Sequence, residues 1–248
     1  MYNSQKRLRI FAGPNGSGKS TLFNTIKCQF NVGPFINSDE IQIEIETKGV
    51  INLGLFGLRL TKDDLNAFIN EPDTISLIGK AESGGHVIDV DVKDNFIVDK
   101  SRSTHSYEAA FITSFIRKRL LEKGSSYSFE SVMSHPSKLT EISAAKSLGY
   151  KTYLYFVCLE DPEINISRVQ NRVKQGGHSV PSEKIISRYD STLNNLLPAL
   201  MLVDKAYLFD NSTSKMDLFA EVEKGQINIL SEKIPYWFVE YVTNKLDI

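Results

Sequence analysis

Apolar positions along the chain alternate between short continuous runs and stripes at helical spacing, a pattern that predicts a layered α/β protein. Leu8-Arg9-Ile10-Phe11-Ala12 is a short, mostly apolar run stopped by Gly13-Pro14, and a helical pattern follows from Lys19 to about Phe30. Gly33-Pro34 breaks the chain. Phe35-Ile36-Asn37 then reads as a second strand leading into Ser38-Asp39-Glu40, which sets carboxylates at its exit. The signal weakens from Thr61 to Ser103, where His86 to Val92 and Asn95 to Val98 alternate like paired strands around Lys93-Asp94, an inserted β-hairpin. Tyr107, Ala110, Phe111, Phe115, Ile116 and Leu120 recur at helical spacing, and the helix closes at Lys123-Gly124.

Tyr127-Ser128-Phe129-Glu130 reads as a third strand, again ending on a carboxylate. Pro136 opens a helix that ends at Leu148-Gly149. The run from Thr152 to Leu159 is the strongest strand signal in the chain, and its near-continuous apolarity suits a parallel strand buried on both faces. Asp161-Pro162 supplies an N-cap and a first-turn proline for a helix carrying Arg168, Arg172 and Lys174, which stops at Gly176-Gly177. Ser182 is placed to cap one more helix, carrying Arg188. Ala206-Tyr207-Leu208-Phe209 forms a last core strand exiting at Asp210-Asn211, and Tyr236, Trp237, Phe238 and Tyr241 mark a packing helix. Strands alternating with helices predict a parallel sheet flanked on both faces.

The 248 residues suit a single α/β domain over positions 1–248, with an insertion at about 61–103 and a lid at about 168–188. A net charge of -1 argues against a long nucleic-acid footprint, so no nucleic-acid partner is expected. No apolar run approaches the roughly 20 residues of a spanning helix, so no membrane association is expected. Met1 to Arg7 runs straight into the first strand, leaving no room for a cleavable signal; the expected location is cytoplasmic. Cys28 and Cys158 lack metal-ligand spacing and read as buried thiols in a reducing compartment. The histidines at 86, 105, 135 and 178 show no ligand spacing and read as loop residues, His178 alone lying where it could sense the lid. Asp89, Asp91 and Asp94 imitate a calcium loop but lack its glycine, and read as solvent-facing strand carboxylates.

Candidate chemistry concentrates at Gly13-Pro14-Asn15-Gly16-Ser17-Gly18-Lys19-Ser20-Thr21, a complete phosphate-binding loop between a strand and a helix. Its glycines let backbone N–H groups turn inward and approach phosphate oxygens closely, Lys19 adds a point charge, and the Ser20 hydroxyl is placed to ligate Mg²⁺. Nucleotide binding, with ATP and Mg²⁺ as cofactors, follows; the loop alone does not separate kinases from transporters or switches. Asp39 at the next strand exit suits a base or substrate orienter, a member of the metal shell, or a cap for the following helix. Glu130 suits a hydroxyl-binding acid or a structural ion pair. Arg172 and Arg188, on two helices hinged at Gly176-Gly177, could form a basic lid that neutralises charge on a moving phosphoryl, or could be solvated surface.

With that loop, Phe35-Ile36-Asn37-Ser38-Asp39-Glu40, the segment from Ser128 to Ser134, and Asn171-Arg172 through Pro181 in this order, the chain resembles the zeta-toxin-like P-loop kinases. The resemblance spans roughly residues 6 to 60 and 105 to 212. It implies an α/β P-loop NTPase with a nucleotide-kinase-like parallel sheet flanked by helices and a helical lid, and relative to the simpler members the small β-hairpin segment at about 61–103 is an insertion. It also implies ATP-dependent phosphorylation of a hydroxyl on a small acceptor, in characterised toxins a nucleotide sugar, and an antitoxin-like protein partner. Asp39 matches the family's catalytic base, Lys19 its phosphate-binding lysine, Glu130 its substrate-binding acid, and Arg172 and Arg188 its lid arginines. The toxins carry Thr and Arg two and four positions after that acid, whereas this chain has Val132 and Ser134. Ser134 thus stands on the acceptor side without the cation that a diphosphate-sugar would meet.

Two other classes compete. An ABC-type ATPase subunit shares the phosphate loop, but no Leu-Ser-Gly-Gly-Gln signature follows, and Ala81-Glu82-Ser83-Gly84-Gly85 is a poor imitation. A nucleotide-binding protein without transfer activity, regulated by a partner, would keep the same loop.

Overall fold

The computed structural model describes residues 5–101, 104–177 and 179–246. In chain order the elements are β1 (Arg7–Ala12), α1 (Lys19–Lys27), β2 (Phe35–Ile36), α2 (Ser38–Lys48), β3 (Val50–Asn52), α3 (Lys62–Ile69), α4 (Pro72–Ser83), β4 (Val90–Lys93), β5 (Phe96–Asp99) and α5 (Ser106–Lys123). There follow β6 (Tyr127–Ser131), α6 (Ser137–Ser147), β7 (Lys151–Cys158), α7 (Pro162–Lys174), α8 (Ser182–Asn194), α9 (Leu196–Leu202), β8 (Lys205–Asp210), β9 (Asp217–Glu223), β10 (Gln226–Ile229) and α10 (Tyr236–Tyr241). They group into two compact units, Met1–Gly33 with Ser128–Ile248, and Pro34–Tyr127.

In the first unit the strand order is β10-β9-β8-β7-β1-β6. β1 runs parallel to β7, with Ile10 opposite Leu154 and Ala12 opposite Phe156, and β7 runs parallel to β8. Leu8, Ile10, Phe11, Leu154, Phe156 and Val157 are all buried, which is why these segments read as continuous apolar runs. β8 is not the last strand, as the sequence pattern suggested. β9 pairs antiparallel with β8 and β10 with β9, joined at Lys224-Gly225 with φ of 50° and 80°. A two-residue turn with both φ positive matches the twist of a hairpin. The signal was diluted because Glu221, Glu223 and Asn228 alternate with the buried Phe219, Ala220 and Val222. Trp237 and Phe238 of α10 pack edge-on against Phe219, as the aromatic tail predicted. α8 begins on Ser182 itself; Pro181 holds the N-cap position and no side chain caps it.

The second unit carries a three-stranded sheet, β3-β5-β4. The expected hairpin is present but shorter, and it turns at Asp94-Asn95, with φ of 51° and 64°, rather than at Lys93-Asp94. The rest of the expected insertion is helical: α3 opens on a capping box between Thr61 and Asp64, and α4 on Pro72. Phe68 of α3 packs against Phe111 and Phe115 of α5, and α5 ends in Gly124 with φ 75°. Asp89 and Asp91 pair with Lys100, and Asp91 also with Lys62, the arrangement of surface carboxylates. Two expectations change. His105 is the N-cap of α5 rather than a loop residue, its Nδ1 accepting from the Glu108 amide. Cys28 is exposed at the end of α1, although Cys158 is buried as expected. Among the described residues no helix is long and apolar enough to cross a membrane.

Candidate active site

The loop between β1 and α1 is shaped by close backbone approaches. Gly13 has φ 142°, and a Cβ there would sit 2.0 Å from the Val157 carbonyl oxygen, so no other residue fits. A Cβ on Gly16 would lie 2.8 Å from the Asn165 carbonyl oxygen, and one on Gly18 2.6 Å from Asn211 Nδ2. Gly18 is also the N-cap of α1, where no side chain caps the helix and the first turn carries no acid. The positive end of the helix is left to an anion.

β6 lies beside β1 in the sheet and carries Glu130 to the loop. Ser20 Oγ donates to Glu130 Oε2 at 2.8 Å, while Lys19 Nζ donates to the Pro14 carbonyl at 2.9 Å and lies 3.6 Å from Glu130 Oε1. Lys19 is only 6% exposed, so this pair sits in a screened pocket where charge interactions are stronger than in water. Ser17 Oγ and Asn15 Oδ1 are buried with no hydrogen-bond partner among the described residues. Such orphaned atoms call for a missing partner. Glycines with positive φ, a buried lysine and a hydroxyl held by a carboxylate fit a Mg²⁺-bound triphosphate. Among the described residues no group of three or more His, Cys, Asp or Glu side chains is arranged to hold a metal ion by itself. Mg²⁺ sites of this kind use one or two protein groups and complete their shell with phosphate oxygens.

α7 and α8 pack through Ile166, Val169, Ile185 and Val180. Arg172 stands near the end of α7 and Arg188 on α8, so the two expected lid arginines are carried by packed helices. A Cβ on Gly177 would fall 2.6 Å from Arg172 Cγ: the side chain runs against the helix link, and only glycine leaves it room. His178, the expected lid sensor, lies outside the described residues. After Glu130 the chain turns through Met133 at φ 60°, held by Thr192 Oγ1 donating to the Val132 carbonyl (2.8 Å) and Asn195 Nδ2 to that of Met133 (2.9 Å). Ser134 follows, half-buried.

Asp39 belongs to the second unit. It does not end a strand. Asn37 stops β2 and caps α2, its Oδ1 accepting from the Asp39 amide at 2.8 Å, and Asp39 stands exposed in the helix's first turn. Lys19, Ser20 and Glu130 therefore converge within one unit. Four polar side chains that buttress this region carried no motif signal: Asn165, Asn211, Thr192 and Asn195. Only Asn211 had a visible cue, its place directly after an apolar strand.

No protein-family model matches the sequence. An uncharacterized protein of Haemophilus influenzae is 32% identical over 63 residues, a stretch covering 25% of this chain and 45% of that protein. In three dimensions the chain is similar to one in the AvrRxo1-ORF1:AvrRxo1-ORF2 complex with sulphate ions, at TM-score 0.50 and 14% identity over 92% of this chain and 61% of that one. The same complex with ATP gives TM-score 0.50 at 13% identity, with the same shares. This is a likeness of fold, an α/β P-loop fold with a mostly parallel sheet flanked by helices. The zeta-toxin resemblance, carried by the motifs, is compatible with that fold. A chain of the PezAT chromosomal toxin–antitoxin system of Streptococcus pneumoniae aligns at TM-score 0.47 and 14% identity, over 85% of this chain and 70% of that one. The chain spans less than two thirds of the AvrRxo1 chain and of the Haemophilus influenzae relative.

Proposed function

We propose that the P-loop kinase fold here transfers the γ-phosphoryl group of ATP to a hydroxyl of a small acceptor. What carries this reading is the cluster at the phosphate loop, with Ser20 held by Glu130 at 2.8 Å and Lys19 beside the same carboxylate. Backbone N–H groups between Asn15 and Thr21 would hold the phosphates, and Lys19 would meet the β- and γ-oxygens. Mg²⁺ would be held through Ser20, with Glu130 orienting that hydroxyl; when bound it neutralises charge on the transferred group. Glu130 in this reading serves the donor side as much as the acceptor, which shifts it from the hydroxyl-binding role that the resemblance implies.

Arg172 and Arg188 would close over the transferring phosphoryl, since guanidinium groups stabilise charge that develops there. Asp39 would accept the acceptor's proton. Ser134, held on a segment braced by Thr192 and Asn195, would meet the acceptor, and the missing cation at that position disfavours a diphosphate-sugar. The neighbouring complex pairs AvrRxo1-ORF1 with AvrRxo1-ORF2. On that likeness we propose an antitoxin-like partner here too, tested by whether a co-expressed neighbouring protein suppresses turnover.

The deciding experiment incubates the protein with γ-labelled ATP, Mg²⁺ and a panel of hydroxylated acceptors that includes nucleotide sugars. Label should pass to an acceptor, and Asp39→Asn should slow transfer by about 100-fold or more, the scale of a positioned general base. Undiminished transfer by Asp39→Asn removes that residue's role. ATP binding without transfer to any acceptor moves the reading to a partner-regulated nucleotide-binding protein.

A further inference from the structure

The phosphate loop is fastened from outside by side chains that the proposed chemistry does not use. Asn165 Nδ2 donates to the Asn15 carbonyl at 2.5 Å. Asn211 Nδ2 donates to the Ser17 carbonyl at 2.7 Å, and Arg168 Nη2 donates to the Asn211 carbonyl at 2.9 Å. Gly16 lies against Asn165, Arg168 and Val169, and Gly18 against Asn211 and Met216. The two loop glycines thus give room for these contacts as well as for phosphate. Asn165 is fully buried, and its remaining side-chain oxygen has no partner among the described residues, so its packing here is not a solvated accident.

Asn165 and Arg168 both belong to α7, and Arg172 follows them at helical spacing. Positions i, i+3 and i+7 share one face of a helix. The face of α7 that touches the phosphate loop is therefore the face that bears Arg172, one turn further along. Ile166 and Val169 pack the helix on α8. The loop, the exit of β8 and the first two turns of α7 form one hydrogen-bonded bracket.

We propose that Asn165, Arg168 and Asn211 are positioning residues that lock α7, and with it Arg172, to the nucleotide-loaded phosphate loop, so that the donor sets the lid arginine before any acceptor arrives. The proposal rests on the P-loop reading above and adds what that reading leaves open, the means by which donor binding reaches the lid. Phosphates gathered by the amides of residues 15–18 fix the same backbone whose carbonyls at Asn15 and Ser17 receive the bracket. A loop held still by ligand then holds its donors still.

The test compares the parent with Asn211→Ala, Arg168→Ala and Arg168→Lys, measuring affinity for a Mg²⁺-bound nonhydrolysable ATP analogue and amide hydrogen exchange along α7 at saturating analogue. In the parent, α7 amides should gain about tenfold protection, the scale of a buried hydrogen bond. Both alanine variants should lose most of that gain while still saturating with the analogue at no worse than about tenfold weaker affinity. Arg168→Lys, which keeps a donor for the Asn211 carbonyl, should recover part of it. Arg168 is half-buried, so its variants keep the test open if Asn211→Ala fails to fold. A purely structural role would lower the unfolding temperature and leave the gain at saturation intact, which overturns the proposal. An absent gain in a parent that binds the analogue overturns it equally. A parent that binds no analogue defeats the P-loop reading itself, a distinct result.

Discussion

Replacing Glu108 by glutamine should remove the loss of stability that this carboxyl imposes on the second unit as pH rises. Glu108 stands in the first turn of α5, fully buried, and neither carboxylate oxygen has a partner of normal hydrogen-bond geometry among the described residues. Burial first, then the charges of Asp99 and Asp89, push its carboxyl from 4.5 up to about 7; the Asp89 backbone amide offsets this only in part. Raised affinity for the proton means that folding favours the neutral form. Stability from this group is therefore complete below pH 4.5, declines as pH rises, and is lost above about pH 7. At about 1.4 kcal/mol per pH unit, the gap amounts to about 3 kcal/mol. The glutamine variant carries the cost of a buried amide at every pH but does not titrate. The difference between parent and variant should thus move by about 3 kcal/mol in the variant's favour between pH 4 and pH 8. Urea unfolding followed by circular dichroism measures it. The fluorescence of Trp237, which lies in the first unit, is the control. A difference that stays flat across that range refutes the assignment of a near-neutral carboxyl to Glu108.

Other expectations are simpler. Gly13→Ala sets a Cβ 2.0 Å from the Val157 carbonyl and should abolish ATP binding in a calorimetric titration, with a stability loss of at least about 2 kcal/mol. Glu130→Ala should remove the Ser20 hydrogen bond and the Lys19 ion pair and lower turnover by about 100-fold, while Glu130→Asp recovers part of it; equal rates for all three would detach Glu130 from the site. Tyr189→Phe removes a buried donor to the Leu159 carbonyl at 2.7 Å and should cost about 1–2 kcal/mol in chemical denaturation. A thiol reagent should modify the exposed Cys28 at once. Cys158, buried and with its thiol pushed up by burial, should react only on unfolding, and prompt reaction of two thiols would contradict the position of β7.

The central layer was legible because burial on both faces leaves the same mark on β1 and β7, an unbroken apolar run. The phosphate loop was legible because its backbone geometry admits few residue types, Gly13 above all. β9 and β10 escaped because a strand with one wet face reads as weak alternation, and a Lys-Gly turn is a modest signal between them. α3 and α4 escaped for a related reason: each is short and buries two residues, so a helical stripe barely registers. Asp39 was placed at a strand exit because Asn37 looked like strand sequence. In the fold that asparagine turns its side chain back onto the next amides and starts a helix. The bracket around the loop was invisible because its members, two ordinary asparagines and an arginine, are joined to backbone carbonyls up to 194 positions away. No local pattern records such a contact.

The interleaving of the two units sets an order on events at the ribosome. β1 is made well before its sheet neighbours β6 and β7, which come only after residue 126, whereas the three-stranded sheet β3-β5-β4 lies wholly within Pro34–Tyr127. At about 5–20 residues per second, the nascent phosphate loop waits several seconds beside a segment able to collapse on its own. Released chains ending at residue 127 should therefore yield the 7–12 segment to protease while protecting α5, so the phosphate loop takes its shape only after the segment that follows it in the chain.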